Sequence, residues 1–178
     1  VKFKIITALS VFYDLENPNK FLSDIRKILH KDGIFYLEFQ DLLMILKRNM
    51  FDTICHEHLE YYSAQVIVNM CKKNNLKEIN ILSNDINGSS KQFHITHQKS
   101  AYKENKIILK KILKEEKKMK ITSKKELLKF YIEINKLKIK LLDLLKKIKS
   151  KKKIIHGYGA STKGNVLLQY FGIGNKYI

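Results

Sequence analysis

The 178-residue sequence has no tryptophan, one proline (Pro18), seven glycines and two cysteines. Two thiols, Cys55 and Cys71, cannot build a disulfide framework, so the expected setting is a reducing interior, the cytoplasm. No apolar run approaches the ~20 residues needed to cross a bilayer, which excludes an integral membrane helix. No signal-peptide layout follows Val1. Arginine is also scarce: only Arg26 and Arg48 are present. What is abundant is lysine, isoleucine and asparagine, a bias that a low-GC coding sequence produces without a functional cause. With 44% hydrophobic residues the chain can form a real core, and its length suits one domain, or one plus a piece of another.

The net charge of +18 is concentrated. From Lys99 to Lys153 there are 21 lysines against 6 acidic residues, while everything else is nearly balanced. A basic run can bind nucleic acid by counterion release, or it can be the solvated face of packed helices. The second reading is favoured, because arginine, the usual reader of guanine and clamp of phosphate, is missing from the run. Its lysines are also interleaved with a regular apolar stripe.

Phe3–Leu9 (FKIITAL) has the pattern of a buried parallel strand. Asn17-Pro18 reads as an N-cap and first helical position, followed by Phe21, Leu22, Ile25, Ile28 and Leu29 at helical spacing. Lys31-Asp32-Gly33 is expected to end that helix, and Ile34–Phe39 to form the next strand, giving a right-handed βαβ unit. Ser63 can cap a helix over Ala64–Lys73. Strands are expected at Glu78–Leu82 and Gln92–Thr96, antiparallel across the Asn87-Gly88 turn. Ser123-Lys-Lys-Glu126 is a capping box, and behind it Leu127, Phe130, Ile134, Leu137, Leu141, Leu144 and Ile148 form a three-heptad seam. Lys153–His156 can be a strand, followed by a Gly-rich turn, Gly157–Asn165, and a helix through Val166, Leu167, Leu168 and Tyr170. The glycine spacing matches neither a dinucleotide fingerprint nor a P-loop. Its backbone amides still favour an anion, with Ser161, Thr162 and Lys163 beside them.

The densest chemical cluster is Cys55-His56-Glu57-His58, followed by Tyr61-Tyr62-Ser63. In an extended segment His56 and His58 would share a face, and a zinc site could then recruit His94 or His97. No compact four-ligand pattern appears, so no metal is assigned. A polar loop with one satisfied imidazole is the plain alternative. The functional one is a general base, since histidine exchanges a proton near neutral pH. Ligands of open α/β sheets bind beyond the carboxyl ends of strands, which places Ser10, Asp14 and Gln40 at a candidate site.

Ala8–Pro18, the helix ending at Gly33 and the strand IFYLE together resemble the second half of a class I S-adenosylmethionine-dependent methyltransferase domain. Asp52–Ser63 (DTICHEHLEYYS) is similar to the HEH motif of the sugar C-methyltransferases. Asn87-Gly-Ser-Ser90 resembles that family's HGGS turn, and Tyr158–Asn165 with Tyr170-Phe-Gly172 its C-terminal motif. The resemblance implies an α/β fold in three parts. Residues 1–98 would be the C-terminal half of a Rossmann-like methyltransferase sheet, 99–152 a Lys-rich helical linker, and 153–178 the first βα unit of a C-terminal Rossmann-like domain. The cofactor would be S-adenosylmethionine, with the Gly-rich cofactor loop and a zinc-binding region upstream of Val1. On that expectation this chain alone is inactive.

The same resemblance implies the residue roles. His58 would be the base that removes a proton from carbon next to a keto group of a nucleotide-linked deoxysugar, and Glu57 would bind sugar hydroxyls or orient that base. His56, Tyr61, Ser90, Lys91, Ser161, Lys163 and Asn165 would contact the substrate, and Ser10 and Asp14 the cofactor. Departures fall at Cys55, where the family has the tyrosine of YHEH, and at Asp14, where many relatives have histidine. Asn87, Ser89 and Lys91 also depart from HGGS and the arginine after it. Transfer to oxygen or to a non-sugar acceptor, and a basic helical nucleic-acid-binding module, are the competing functions.

Overall fold

The computed structural model describes residues 1–178, the side chain of Asn87 excepted. The chain forms two compact units, Val1–Met44 with Glu57–Ile121, and Ile45–His56 with Thr122–Ile178.

The first unit is built on a four-stranded sheet of order β1-β2-β4-β3. Its elements are β1 (Phe3–Leu9), α1 (Pro18–Ile28) and β2 (Leu29–Gln40), then, after α2 (Leu42–Arg48) where the two units' segments meet, α3 (Ala64–Lys73), β3 (Leu76–Asn84), β4 (Ser90–His97) and α4 (Lys106–Met119). β1 and β2 are parallel across α1, whereas β4 runs antiparallel to both β2 and β3. The caps form as the sequence implies: the side chain of Asn17 accepts from Lys20 N, and that of Ser63 from Val66 N. Alternation along β2 and β4 separates two faces. On one, the cross-strand pairs Phe35–Ile95 and Leu37–Phe93 are fully buried in a core shared with Leu22 of α1, Ile67 of α3 and Ile112 of α4. On the other, Tyr36 lies against His94, with ring centroids 4.7 Å apart. Cys71 belongs to the core, and burial first, then the charge of Glu78, pushes its thiol far above the usual range. Such a thiol is inert.

Two expectations change here. Helix α1 stops at Ile28, and Lys31-Asp32-Gly33 lies inside β2. Gly33 is required by close approach, because a Cβ there would sit 2.8 Å from both Leu29 Cδ1 and the Phe3 carbonyl oxygen. Strand β1 is buried on one face only: Ala8 lies in the core and Ile6 packs against it, while Phe3, Ile5 and Leu9 on the other face are 48%, 67% and 51% exposed. Successive side chains of a strand alternate between faces, so only half of the apolar run can reach the core on this side of the sheet.

In the second unit, α5 (Lys124–Ser150) begins at Ser123, whose hydroxyl oxygen accepts from Glu126 N at 3.3 Å. The basic stretch thus contains two helices, α4 in the first unit and α5 in the second. The buried stripe of α5 differs from the expected seam: Leu145 is 7% exposed, while Leu137 and Leu144 remain 40% and 52% exposed. A straight helix turns 3.6 residues per cycle, so a strict 3.5-residue seam drifts off the packed face. Ile134 and Leu145 join Phe51, Phe171, Ile173 and Tyr177 in a small core. Residues 153–156 form no strand, a correction with a simple cause: all four strands of the described residues belong to the other unit, so these four have no ladder to join. The helix that follows, α6 (Thr162–Phe171), does form, and Gly172 closes it in the left-handed conformation (φ 69°).

Two substitutions test this packing in opposite directions. Gly33→Ala should destabilise the first unit by about 1–3 kcal/mol, because the methyl meets backbone as well as a side chain. Glu78 on β3 is buried, and its Oε2 lacks a hydrogen-bond partner among the described residues. Burial, and after it the charge of Glu104, raises its pKa above the ordinary carboxylate value. A carboxyl raised in the folded state contributes stability only while protonated, and that contribution is lost as pH rises through the folded value. Glu78→Gln should therefore stabilise the chain by about 1 kcal/mol at neutral pH. Urea unfolding at neutral and strongly acidic pH checks this, with the gain expected to vanish in acid.

Candidate active site

The site is organised by the parallel-to-antiparallel change at β2. Because β1 and β2 run together and β4 runs against them, the carboxyl ends of the first two and the start of the third share one edge of the sheet. Ser10 leaves β1 in a left-handed conformation (φ 57°), with its N–H donating to the Glu38 carbonyl at 3.0 Å. The chain then makes a 3-10 turn, Phe12–Asp14, that buries Phe12 and Tyr13 and leaves Asp14 exposed.

The HEH segment returns onto that turn. The Tyr13 carbonyl accepts from Leu59 N at 2.9 Å and from Glu60 N at 3.1 Å. This places the half-buried His58 ring 4.4 Å from the Tyr13 ring, centroid to centroid, and 6.5 Å from Tyr61. Glu57 is exposed. A turn at His56–Glu57 replaces the extended geometry considered for the motif. His56 falls in the second unit's segment, where it is exposed. His94 and His97, considered above as further zinc ligands, have roles within the sheet: His94 Nε2 lies 3.0 Å from Gln92 Oε1, and His97 Nε2 lies 3.1 Å from the Leu29 carbonyl. Burial lowers the pKa of His94.

Tyr62, next to the motif, is buried against Phe12 and Phe39, with centroids 5.1 and 6.1 Å away. Its hydroxyl has no hydrogen-bond partner among the described residues, and burial, helped by Glu60, pushes its pKa up to about 12. Its carbonyl accepts from Leu42 N at 3.0 Å, which ties the loop to the end of β2.

Ser90 and Lys91 begin β4 opposite Gln40 and Phe39, at the same edge. Both are buried and already engaged. Ser90 donates its hydroxyl to the Ile86 carbonyl at 3.1 Å, and Lys91 pairs with the buried carboxylate of Asp41. Asn87, in the turn between these strands, has its side chain outside the described residues. In the second unit, Ser161 Oγ accepts from Gly164 N at 3.2 Å and caps α6, whose first turn carries Lys163 and Asn165. A helix start of this kind suits an anion, which is the chemistry expected of those three residues.

Two residues of this region went unseen in the sequence. Asp41 is fully buried, holds Lys91, and accepts from Leu43 N at 3.3 Å through its other oxygen. A signal existed: a lysine in the apolar alternation of β4 needs an acid, and Asp41 stands where an N-cap belongs. Glu116 of α4 accepts from Ala64 N at 2.6 Å and Gln65 N at 3.1 Å, the first two amides of α3. Burial, and secondarily Asp41, raises its pKa, while the two amides and Lys91 oppose the rise. Nothing local in the sequence announces a contact spanning 52 positions.

With this geometry established, comparison with known proteins is informative. A family model described as the C-methyltransferase C-terminal domain matches residues 85–178. The C-methyltransferase NovU of Streptomyces niveus is 26% identical over 175 residues, which are 98% of this chain and 41% of that protein. The chain therefore spans less than half the length of this curated relative. PKMT2 from Rickettsia typhi, solved in complex with AdoHcy, aligns at a TM-score of 0.40 and 12% identity, covering 57% of this chain and 37% of that one. Matched by its family model over more than half of its length, this chain belongs to the C-methyltransferase family.

Proposed function

We propose that this chain carries the proton-removing part of an S-adenosylmethionine-dependent methyltransferase. Its acceptor would be carbon next to a keto group in a nucleotide-linked deoxysugar. Membership of the C-methyltransferase family supports transfer to carbon, and the resemblance of the HEH segment to sugar C-methyltransferases supports the sugar. The observation that carries the reading is the setting of His58, half-buried between Tyr13 and Tyr61 on a loop pinned to the carboxyl end of β1.

Carbon next to a carbonyl is not a nucleophile until it loses its proton. A positioned imidazole can take that proton and leave the electron pair delocalised onto the keto oxygen as an enolate. The flanking rings limit where the His58 ring can swing, which matters because near-attack geometry supplies much of the rate in such transfers. Exposed Glu57 can accept hydrogen bonds from sugar hydroxyls. S-adenosylmethionine, when bound, supplies an electrophilic methyl group. Ser10 and Asp14 fit that cofactor in kind: one hydroxyl and one exposed carboxylate at a strand's carboxyl end, where open sheets take their ligands. Lys91, held by Asp41, would act on substrate as part of that pair, and Ser161, Lys163 and Asn165 offer anion-binding chemistry to a nucleotide's phosphates.

In the complete enzyme, His58→Ala should lower methyl transfer by about 10²–10⁴-fold with unchanged cofactor affinity. Product analysis with 4-keto deoxysugar nucleotides, distinguishing a new carbon-bound methyl from an oxygen-bound one, checks both the base and the acceptor. Undiminished turnover in the variant would overturn the assignment of His58.

A further inference from the structure

The first turn of α3 shows a complete accounting of backbone donors. Val66 N is satisfied by the Ser63 hydroxyl at 3.3 Å, as the sequence implies. Ala64 N and Gln65 N are both taken by Glu116, one on each carboxylate oxygen. The source of that carboxylate is unusual. Along α4, Ile108 and Ile112 pack toward the core, and Glu116 continues the same row four residues on. An apolar side chain is the expected occupant of such a position. A carboxylate that is only 5% exposed stands there instead, within electrostatic reach of the buried Asp41–Lys91 pair.

For global stability this is a poor choice. Removing a carboxylate from water is costly, and replacing a buried ionic group together with its partners by apolar residues is often neutral or stabilising. The raised pKa of Glu116 points the same way, since the ionised form is held against a net penalty. What the residue provides is local. The irregular segment between His58 and α3 is fixed at its start by the Tyr13 carbonyl, through Leu59 N and Glu60 N, in its middle by the bond from Leu42 N to the Tyr62 carbonyl, and at its end by Glu116. His58 stands immediately before the first of these anchors.

We propose that Glu116 is a positioning residue for His58: by gripping the first two amides of α3 from a distant helix, it holds the far end of the loop that bears the imidazole. Its catalytic consequence rests on the reading of His58 as the base, whereas the grip on the loop does not. Opening of that loop then governs how often the ring is in place, without any contact between Glu116 and substrate.

The test compares Glu116→Leu and Glu116→Gln. Leucine extends the Ile108–Ile112 row, and its burial offsets part of the cost of leaving Ala64 N and Gln65 N without an acceptor, so the chain should keep its fold. Amide hydrogen exchange in this chain should nevertheless quicken at residues 59–60 and 64–65. Losing bonds to a charged acceptor corresponds to about 10–100-fold, with the core amides of β2 and β4 unchanged. Glutamine keeps one acceptor and should give a smaller effect at the same amides. In the complete enzyme the leucine variant should lose kcat by a similar factor, with cofactor affinity unaltered. Exchange that stays at the parent rate at 59–60, or that quickens equally throughout the sheet, would overturn the proposal. Faster loop exchange alongside full activity in both the Glu116 and His58 variants would leave the grip on the loop established and overturn the positioning of a base, tracing the failure to the role of His58.

Discussion

The pairing of β2 with one parallel and one antiparallel neighbour is the constraint on which this molecule's chemistry depends. Had β4 run the other way, Ser90 and Lys91 would lie at the far end of the sheet from Ser10 and Asp41. Reversal instead brings two carboxyl ends and one strand start to a common edge. The helix-covered face beneath is filled by Phe35, Leu37, Phe93 and Ile95 in direct cross-strand register. Register is strongly specified when one face is buried, because a one-residue slip would send every apolar side chain to water. The same lock sets which polar groups reach the edge.

Polar groups at that edge are tied to one another more than to solvent. Lys91 meets Asp41, Asp41 also serves the first turn of α2, and Glu116 serves the start of α3. Both carboxylates serve amides in the first turn of a helix, which have no acceptor within that helix. Buried ionic groups are weak evidence for stability. Here they fix the starts of α2 and α3, and the segment that leads into α3 carries His58 and Tyr61.

Local signals in the sequence translated directly into structure. Asn17-Pro18, Ser63, Ser123 and Ser161 cap the helices they precede, because a cap is decided by a side chain and an amide two or three positions away. β1 and α3 have the bounds that the residue pattern implies, and the antiparallel pairing across the Asn87-Gly88 turn forms. Readings that needed a partner fared worse. The apolar run of β1 looked buried on both faces because sequence shows side chains and not neighbours, and Lys153–His156 looked like a strand for the same reason. Gly33 read as a helix stop, although its cause is the Phe3 backbone thirty positions earlier. In the site, the HEH motif was visible as an unusual cluster, while Asp41 and Glu116 became meaningful only when folding brought their partners to them.

The outward side of β1 matters wherever no further strand pairs with it. One row of its backbone donors and acceptors faces outward, flanked by Phe3, Ile5 and Leu9, with no proline to interrupt it and Lys2 and Lys4 as the nearby charges. Such a row is a template for strand addition, and lysine is the residue that natural edges use to resist it. Wherever this edge stands open, those cations oppose the pairing of like edges, and salt that screens them weakens the opposition.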